Sequence, residues 1–220
     1  YQEKGKGFLK SFTAGFFTTC GFNNVGAAST DSGEELPLHG TIGNIPAERI
    51  WWTETEDKIE IHALINDSYI FGRKLMLHRV LSCGKYANCL RISDTVENQG
   101  DREEPVMLMY HINMGYPLLT EKAILEISSD RVAVGNRAVD GDEWKIITPP
   151  IPKNPEVCYR HYYEAGEPAF AAIQNPDIGK GLRISFDSMD FPCLIQWNKF
   201  SCRDYALGLE PRNFPNGGKV

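Results

Sequence analysis

KIEIHALI, at residues 58–65, indicates the fold class because apolar and polar side chains alternate along it. Ile59 and Ile61 fall on one face, and Glu60 and His62 fall on the other. This period of two is typical of a half-buried β-strand. Outward from this stretch, short β-rich runs recur between Gly, Pro, Asn or Asp residues, and helical periodicity is almost absent. The pattern predicts an all-β sandwich or barrel.

The rest of the chain contains similar β-rich runs separated by turn residues. Further strands are predicted at residues 74–82, 89–97, 106–113, 123–127, 157–163, 168–174, 181–186, 193–197 and 204–209. Turns are predicted at residues 66–68 and 97–101. Residues 148–155 hold four prolines and are expected to form a long crossing loop rather than a domain linker. Residues 1–45 are rich in Gly, Thr and Phe and are expected to be irregular. We therefore predict one domain over residues 1–220.

Charge and hydropathy narrow the classes of partner. The formal net charge is −6, and no run of Lys or Arg interrupts the mixed-sign sequence. Nucleic acids and anionic membrane surfaces select basic patches, so neither is expected as a partner. The apolar runs are too short to span a bilayer. A neutral small molecule or another protein fits this composition better.

The cysteines favour a reducing compartment. Six cysteines are present without a CxxC pair or a Cys/His zinc spacing. We expect free thiols and a cytoplasmic location, although a hairpin could bring Cys83 and Cys89 together as a disulfide. No metal-ligand spacing stands out, so no metal is expected. The chain opens at Tyr1 without an initiator Met, which suggests that an N-terminal part is missing.

Strand parity selects the first candidate functional residues. In residues 106–113, Met109, His111 and Asn113 share a face, and His111 and Asn113 are expected to emerge together at the strand end. The alternative is a buried histidine whose ring is hydrogen-bonded by a neighbouring backbone group. Arg79 and Asp94 could form a buried ion pair if their two strands are neighbours.

Glu210 follows two small residues of the same parity. Ala206, Gly208 and Glu210 share a face of the last predicted strand, so a groove is expected above the sheet with the carboxylate at its end. A cyclic substrate could lie in such a groove. The alternative is a rim glutamate beside a turn, with Gly208 marking a bulge.

Two further segments carry imidazoles. His39 and Asn44 lie in a constrained loop, where Gly40 permits a close backbone approach or a positive φ. Tyr159 and His161 share a face with Tyr163, and aromatic rings of this kind could form a platform for sugar C–H groups. An aromatic stripe in the core is the alternative explanation.

Three segments in this order resemble the aldose 1-epimerase (galactose mutarotase) superfamily, and most closely its uncharacterised DUF-type branch. They are LHGTIGNIPAE (38–48), MLMYHINMGYPLL (107–119) and YALGLEPRNFPNG (205–217), with weaker matches in FFTTCGFNNVG (16–26) and FPCLIQWNK (191–199). The resemblance implies a large antiparallel β-supersandwich with a sugar site in a cleft on the sheet. Members usually begin with further N-terminal strands that this chain lacks.

The resemblance also implies residue roles. His111 matches the general acid on the ring oxygen, Glu210 the general base on the anomeric hydroxyl, and His39 the histidine that binds the sugar near the ring oxygen. Asn113, Asn44, His161 and Tyr159 complete the expected substrate-binding set, and the reaction requires no cofactor. The chain departs from classical mutarotases because Tyr110, rather than Asn, precedes His111. The aspartate that grips sugar hydroxyls is not placed, and residues 159–161 occupy its approximate region.

The leading hypothesis is a carbohydrate mutarotase or a related sugar isomerase acting elsewhere on the sugar. A non-catalytic sugar-binding module is the first alternative. A structural β-sandwich is the second, and it predicts that His39, His111 and Glu210 do not cluster.

Overall fold

The computed structural model describes residues 9, 12, 15–31 and 33–214 and is built from antiparallel sheets. The described strands are β1 Phe17–Phe22, β2 Ser29–Asp31, β3 Glu34–Leu36, β4 Arg49–Glu54, β5 Lys58–Ser68, β6 Lys74–Gly84, β7 Leu90–Asn98, β8 Met107–Met114, β9 Ile124–Ile127, β10 Arg131–Val134, β11 Arg137–Val139, β12 Val157–Tyr162, β13 Pro168–Asn175, β14 Lys180–Asp187, β15 Cys193–Ser201 and β16 Asp204–Arg212. Two 3-10 helices, Ile42–Asn44 and Glu143–Lys145, are present among the described residues. The all-β prediction is confirmed.

The described chain divides into two compact units. Among the described residues, unit 1 contains 9, 22–31 and 33–106, and unit 2 contains 12, 15–21 and 107–214. The single domain over residues 1–220 stays a prediction.

Unit 1 is built on a four-stranded antiparallel sheet in the order β4-β5-β6-β7, with β2 and β3 as a separate hairpin. The alternation read in residues 58–65 corresponds to β5, which pairs along its whole length with β6. The predicted pairing of Arg79 and Asp94 is confirmed. They are directly opposite in the β6–β7 register, and their side chains lie 2.5 Å apart with the carboxylate almost fully buried.

The predicted turn at residues 66–68 is wrong, because β5 continues through Ser68. Asp67 can be buried within this strand because Nε of Arg73 donates to its carboxylate over 2.8 Å. The same guanidinium donates to Thr41 over 2.9 Å. A buried charge held by such a pair satisfies its hydrogen bonds without leaving the sheet.

Unit 2 contains a seven-stranded sheet in the order β1-β8-β16-β15-β12-β10-β11 and a three-stranded sheet in the order β14-β13-β9. One face of the larger sheet contributes to the hydrophobic core of this unit. Its buried members include Ile112, Met114, Leu194, Leu207 and Leu209. The opposite face of the same strands carries the polar side chains described below.

Most predicted strands match observed strands to within a few residues. The prediction missed β1, β2, β3, β4, β10 and β11, which are short or lack clear alternation. The first three lie within residues 1–45, so the expectation that this region is irregular is wrong in part. Residues 148–155 form the expected loop, and Ile151 makes an isolated parallel bridge to Ser201. All six cysteines are free thiols, so the possible Cys83–Cys89 disulfide is absent. Among the described residues, no helix has the length and apolar character needed to cross a membrane.

Gly21 is the reason that β1 can lie so close to β8. Its φ is +138°, and a Cβ added there would overlap the carbonyl oxygen of Met107. Glycine alone fits such a position, because it has no side chain and accepts positive φ readily.

We expect Gly21→Ala to destabilise the protein by on the order of 2–4 kcal/mol, because strain and backbone overlap act together. Gly26→Ala is the matched control, since Gly26 has φ +82° but an added Cβ would meet nothing within 4 Å. It should cost only about 1 kcal/mol. Urea unfolding of both variants measures the difference, and equal losses would show that the contact with Met107 does not matter.

Candidate functional site

The candidate site begins with the pairing of β8 and β16. These strands are antiparallel, and Leu209 lies opposite Ile112 in their register. The same register places the next residue, Glu210, opposite His111. Directly opposed residues in an antiparallel pair project from the same face, so the two side chains are neighbours although 99 positions separate them.

The geometry of this pair is close. Nε2 of His111 lies 3.2 Å from Oε1 of Glu210. Both residues are buried, with 6% and 4% of their surface exposed. The predicted parity of Asn113 holds as well, since it lies opposite Gly208 on this face and its side-chain amide donates to the carbonyl of Gly15 over 3.1 Å. The structure thus brings together three of the predicted site residues.

Gly208 provides the space for the carboxylate. A Cβ at this position would lie 2.5 Å from Oε1 of Glu210 and 3.3 Å from Cβ of Trp197. The carboxylate therefore lies over the glycine. The carboxylate itself occupies the space over Gly208, and the predicted groove for a cyclic substrate stays a prediction.

Burial sets the protonation of Glu210. Loss of hydration raises the pKa of its carboxyl to about 8, Arg212 opposes this rise, and Glu156 adds to it. Oε1 accepts no hydrogen bond from the described residues, although the imidazole of His111 is within ion-pair distance. The carboxyl therefore carries a proton most of the time at neutral pH and loses it in the mildly alkaline range.

Trp197 adds an aromatic wall that the sequence interpretation did not assign. It lies opposite Gly208 in the β15–β16 register, on the face that carries Glu210. Its ring meets His111 edge-on at 5.9 Å, and its indole N–H donates to Glu156 over 3.0 Å. The ring is half-buried, so part of its surface faces solvent. The match at residues 191–199 pointed to this strand, but not to this side chain.

Arg160 was missed too, although both of its neighbours were selected. It lies opposite Ile195 on β15, and Ile195 lies opposite Glu210 on β16. His111, Glu210, Ile195 and Arg160 therefore form one row across four strands. Only pairing information could have revealed this, because parity within β12 does not say which of its faces meets the site.

His161 and Tyr159 lie on the other face of the sheet. His161 is fully buried, with Nδ1 at 2.9 Å from Oγ of Ser129 and Nε2 at 3.0 Å from Oε1 of Gln196. Burial lowers the pKa of its imidazole to about 4. Tyr159 packs against the hydrophobic core. The structure does not bring these residues together with His111, and the aromatic core stripe describes them better than a sugar platform.

His39 and Asn44 belong to unit 1. His39 has φ +59°, and its Nδ1 accepts the backbone N–H of Gly26 over 3.3 Å. The neutral ring therefore carries its hydrogen on Nε2. Burial lowers the pKa of this imidazole to about 4, which keeps it neutral at physiological pH. Asn44 ends the 3-10 helix Ile42–Asn44 and is half-buried. Their roles in binding stay predictions.

The described residues contain no group of three or more His, Cys, Asp or Glu side chains arranged to hold a metal ion. The chemistry that this face offers without further groups is proton transfer, because an imidazole and a carboxyl with a raised pKa lie side by side.

Comparison with known proteins gives the family and the fold. The model of one family, domain of unknown function (DUF4432), matches residues 1–220. A candidate aldose 1-epimerase from Klebsiella pneumoniae has a crystal structure that is 24% identical with a TM-score of 0.84. The alignment covers 96% of this chain and 57% of that one, so this chain spans little more than half of the longer protein. No curated protein matches the chain.

Two further crystal structures are similar at lower identity. A galactose mutarotase related enzyme from Lactobacillus acidophilus is 14% identical with a TM-score of 0.57, covering 89% of this chain and 70% of that one. A galactose mutarotase-like protein from Lactobacillus casei is 14% identical with a TM-score of 0.56, covering 93% and 74%. At these identities the likeness establishes a galactose mutarotase-like β-sandwich fold, as the sequence predicted.

We expect Glu210→Gln to gain stability relative to the native protein as pH rises from 5 to 9. The folded protein holds a proton on Glu210 up to a pKa of about 8, whereas the unfolded chain releases it near the usual glutamate pKa of 4.5. The free energy of unfolding of the native protein therefore falls as pH rises between these two pKa values. Glu210→Gln shows no such fall, because its amide has no proton to release. One pKa unit corresponds to about 1.4 kcal/mol, so the relative gain should be on the order of 1 kcal/mol or more.

Urea unfolding at pH 5 and pH 9 measures this gain. Glu126→Gln is the control, because Glu126 is exposed on β9 and its substitution should show no such trend. A difference between Glu210→Gln and the native protein that stays flat or falls with pH would contradict the burial of a protonated carboxyl.

Proposed function

Because the chain belongs to the DUF4432 family and has a galactose mutarotase-like fold, we propose that it interconverts sugar anomers by general acid–base ring opening. The observation that carries this proposal is the 3.2 Å approach of His111 and Glu210 on one face of the sheet. An acid and a base side by side suit a reaction that moves one proton off the sugar and another onto it.

The reaction can be written with these two groups. Glu210 accepts the proton of the anomeric hydroxyl, the bond between C1 and the ring oxygen breaks, and His111 donates a proton to that oxygen. Rotation about C1–C2 presents the other face of the aldehyde. Return of both protons then closes the ring as the other anomer. Each well-placed acid or base contributes on the order of 10²–10⁴ in rate.

The raised pKa of Glu210 suits the role of the base. A carboxylate of ordinary acidity is a weak base toward a sugar hydroxyl, whereas one with a pKa near 8 accepts a proton more readily. The cost is that only a minor fraction is ionised at neutral pH. The rate should therefore rise with pH as Glu210 ionises and fall again once His111 has lost the proton that it must donate.

Neighbouring groups have supporting roles in this proposal. The half-exposed ring of Trp197 offers an apolar surface for sugar C–H groups, and the amide of Asn113 lies beside His111 on the same face. His39, with its hydrogen on Nε2, stays a predicted sugar-binding residue. Location in the cytoplasm stays a prediction from the free thiols.

A non-catalytic sugar-binding module is the second candidate, and one observation favours it. Below pH 8 most Glu210 side chains are protonated and can donate a hydrogen bond rather than remove a proton. In such a module, the amide of Glu210→Gln would replace the protonated carboxyl with little loss of affinity. Binding and turnover in the same variant therefore separate the two candidates.

The test is NMR exchange spectroscopy of anomer interconversion across a panel of aldoses. We expect Glu210→Gln and His111→Gln each to lower the protein-catalysed rate by about 10²–10⁴, while Glu126→Gln retains it. The native rate should rise with pH as the carboxyl of Glu210 ionises and fall at higher pH as His111 loses the proton it donates, which gives a bell-shaped profile. Native-like rates in both site variants would refute the assignment, and binding without acceleration of any sugar would favour the module.

A further inference from the structure

Arg160 presents an uncommitted positive charge on the face of the candidate site. The structure gives this half-buried side chain no hydrogen bond, ion pair or ring contact with the described residues. A guanidinium has five N–H donors, and partial burial removes some of the water that would otherwise satisfy them. A charge held in this way is suited to binding an anion.

Two more arginines share this face. Arg212 lies opposite Cys193, Cys193 lies opposite Tyr162, and Tyr162 lies opposite Arg131, so this row runs beside the row of Arg160. The guanidinium of Arg131 lies 3.8 Å from the centre of the Tyr162 ring. Burial raises the pKa of the Cys193 thiol, and Arg212, Arg160 and Arg131 each oppose that rise. The three positive charges therefore all act on the region of Cys193.

Glu210 contributes little negative charge to this region, because it is protonated over most of the physiological range. Glu156 accepts the indole N–H of Trp197, and its charge still acts on Glu210. The positive charge on this side of the site contrasts with the net charge of −6 of the whole chain. An overall acidic protein with a local excess of guanidinium groups is expected to attract a small anion there.

The strand register separates Arg160 from His111 and Glu210 by a distance that a sugar ring with a substituent can span. Arg160 and Glu210 are two strands apart in register, which corresponds to roughly 10 Å between their Cα atoms. A sugar whose anomeric carbon lies at His111 and Glu210 would extend across Ile195 toward β12. A charged substituent at its far end would then lie within reach of the Arg160 side chain.

We propose that the substrate is an anionic sugar, carrying a phosphate ester or a carboxylate away from its anomeric carbon, and that Arg160 binds this group. The inference rests on the proposed function, because the pair of His111 and Glu210 sets which end of the sugar reacts. Arg131 and Arg212 add to the attraction. A planar guanidinium can form two parallel hydrogen bonds to either anion, which an ammonium group does not reproduce.

The experiment compares glucose, glucose 6-phosphate and glucuronate, so that ring stereochemistry is constant while charge and anion type change. Anomer exchange is followed by NMR for the native protein, Arg160→Gln and Arg160→Lys. Arg183→Gln is the control, since Arg183 is exposed on β14 and packs over Phe170. Calorimetry with Glu210→Gln measures binding of each sugar separately from turnover.

We expect one or both anionic sugars to exceed glucose in kcat/KM, and Arg160→Gln to reduce that advantage roughly 10- to 100-fold. The loss should appear mainly in KM, because Arg160 binds a group remote from the reacting atoms. Arg160→Lys should recover only part of it, Arg183→Gln should show no change, and the preferred anion identifies which of the two groups is bound.

Other outcomes separate this inference from the proposed function. Equal acceleration of all three sugars, unaffected by Arg160→Gln, would overturn the inference and leave mutarotation standing. Binding of an anionic sugar that Arg160→Gln abolishes, without acceleration of any sugar, would support the anion site and contradict mutarotation. No binding and no acceleration with any of the three sugars would overturn both.

Discussion

The antiparallel register between β8 and β16 is the constraint on which the candidate site depends. It places His111 directly across from Glu210, and Asn113 across from Gly208. The imidazole, the carboxyl and the space that Gly208 leaves for that carboxyl therefore lie on one face. A slip of one residue would turn every side chain of one strand to the opposite face. The proton-transfer pair would then no longer exist.

The core and one end of the strand pair hold this register. Ile112, Met114, Leu207 and Leu209 all point into the core of unit 2 and are almost fully buried, so a slip would expose them and bury polar groups instead. Beyond β16, Asn213 makes two hydrogen bonds with the backbone of Leu108. The N–H of Leu108 donates to Oδ1 of Asn213 over 2.8 Å, and the backbone N–H of Asn213 donates to the carbonyl of Leu108 over 3.1 Å. The interactions that stabilise the fold therefore also align the site.

Sequence patterns predicted the class of fold and the parity of single strands, but not which strand lies beside which. Parity placed His111 and Glu210 each on a defined face, and the family resemblance linked them. Parity also selected Tyr159 and His161. The pairing of β12 with β15 instead places Arg160 on the face of the site. The face of β12 was not predictable, because both of its faces carry mixed aromatic and polar residues.

The net charge of the chain did not predict how charged side chains are distributed on the sheet. An overall charge of −6 suggested a neutral ligand, yet pairing across β16, β15, β12 and β10 gathers three guanidinium groups on one face. Strand β1 was missed for a related reason. Gly21 has no side chain to contribute to an alternating pattern, and its role is visible only against the carbonyl of Met107.

A ligand-bound crystal structure would show whether His111 and Glu210 act on the anomeric end of a sugar. The Glu210→Gln variant is suitable, because it should bind sugar while turning over little. We expect a pyranose on this face, with its anomeric oxygen within hydrogen-bond distance of the side chain at position 210 and its ring oxygen facing His111. A sugar held on the opposite face beside Tyr159 and His161, or one that touches neither member of the pair, would contradict it.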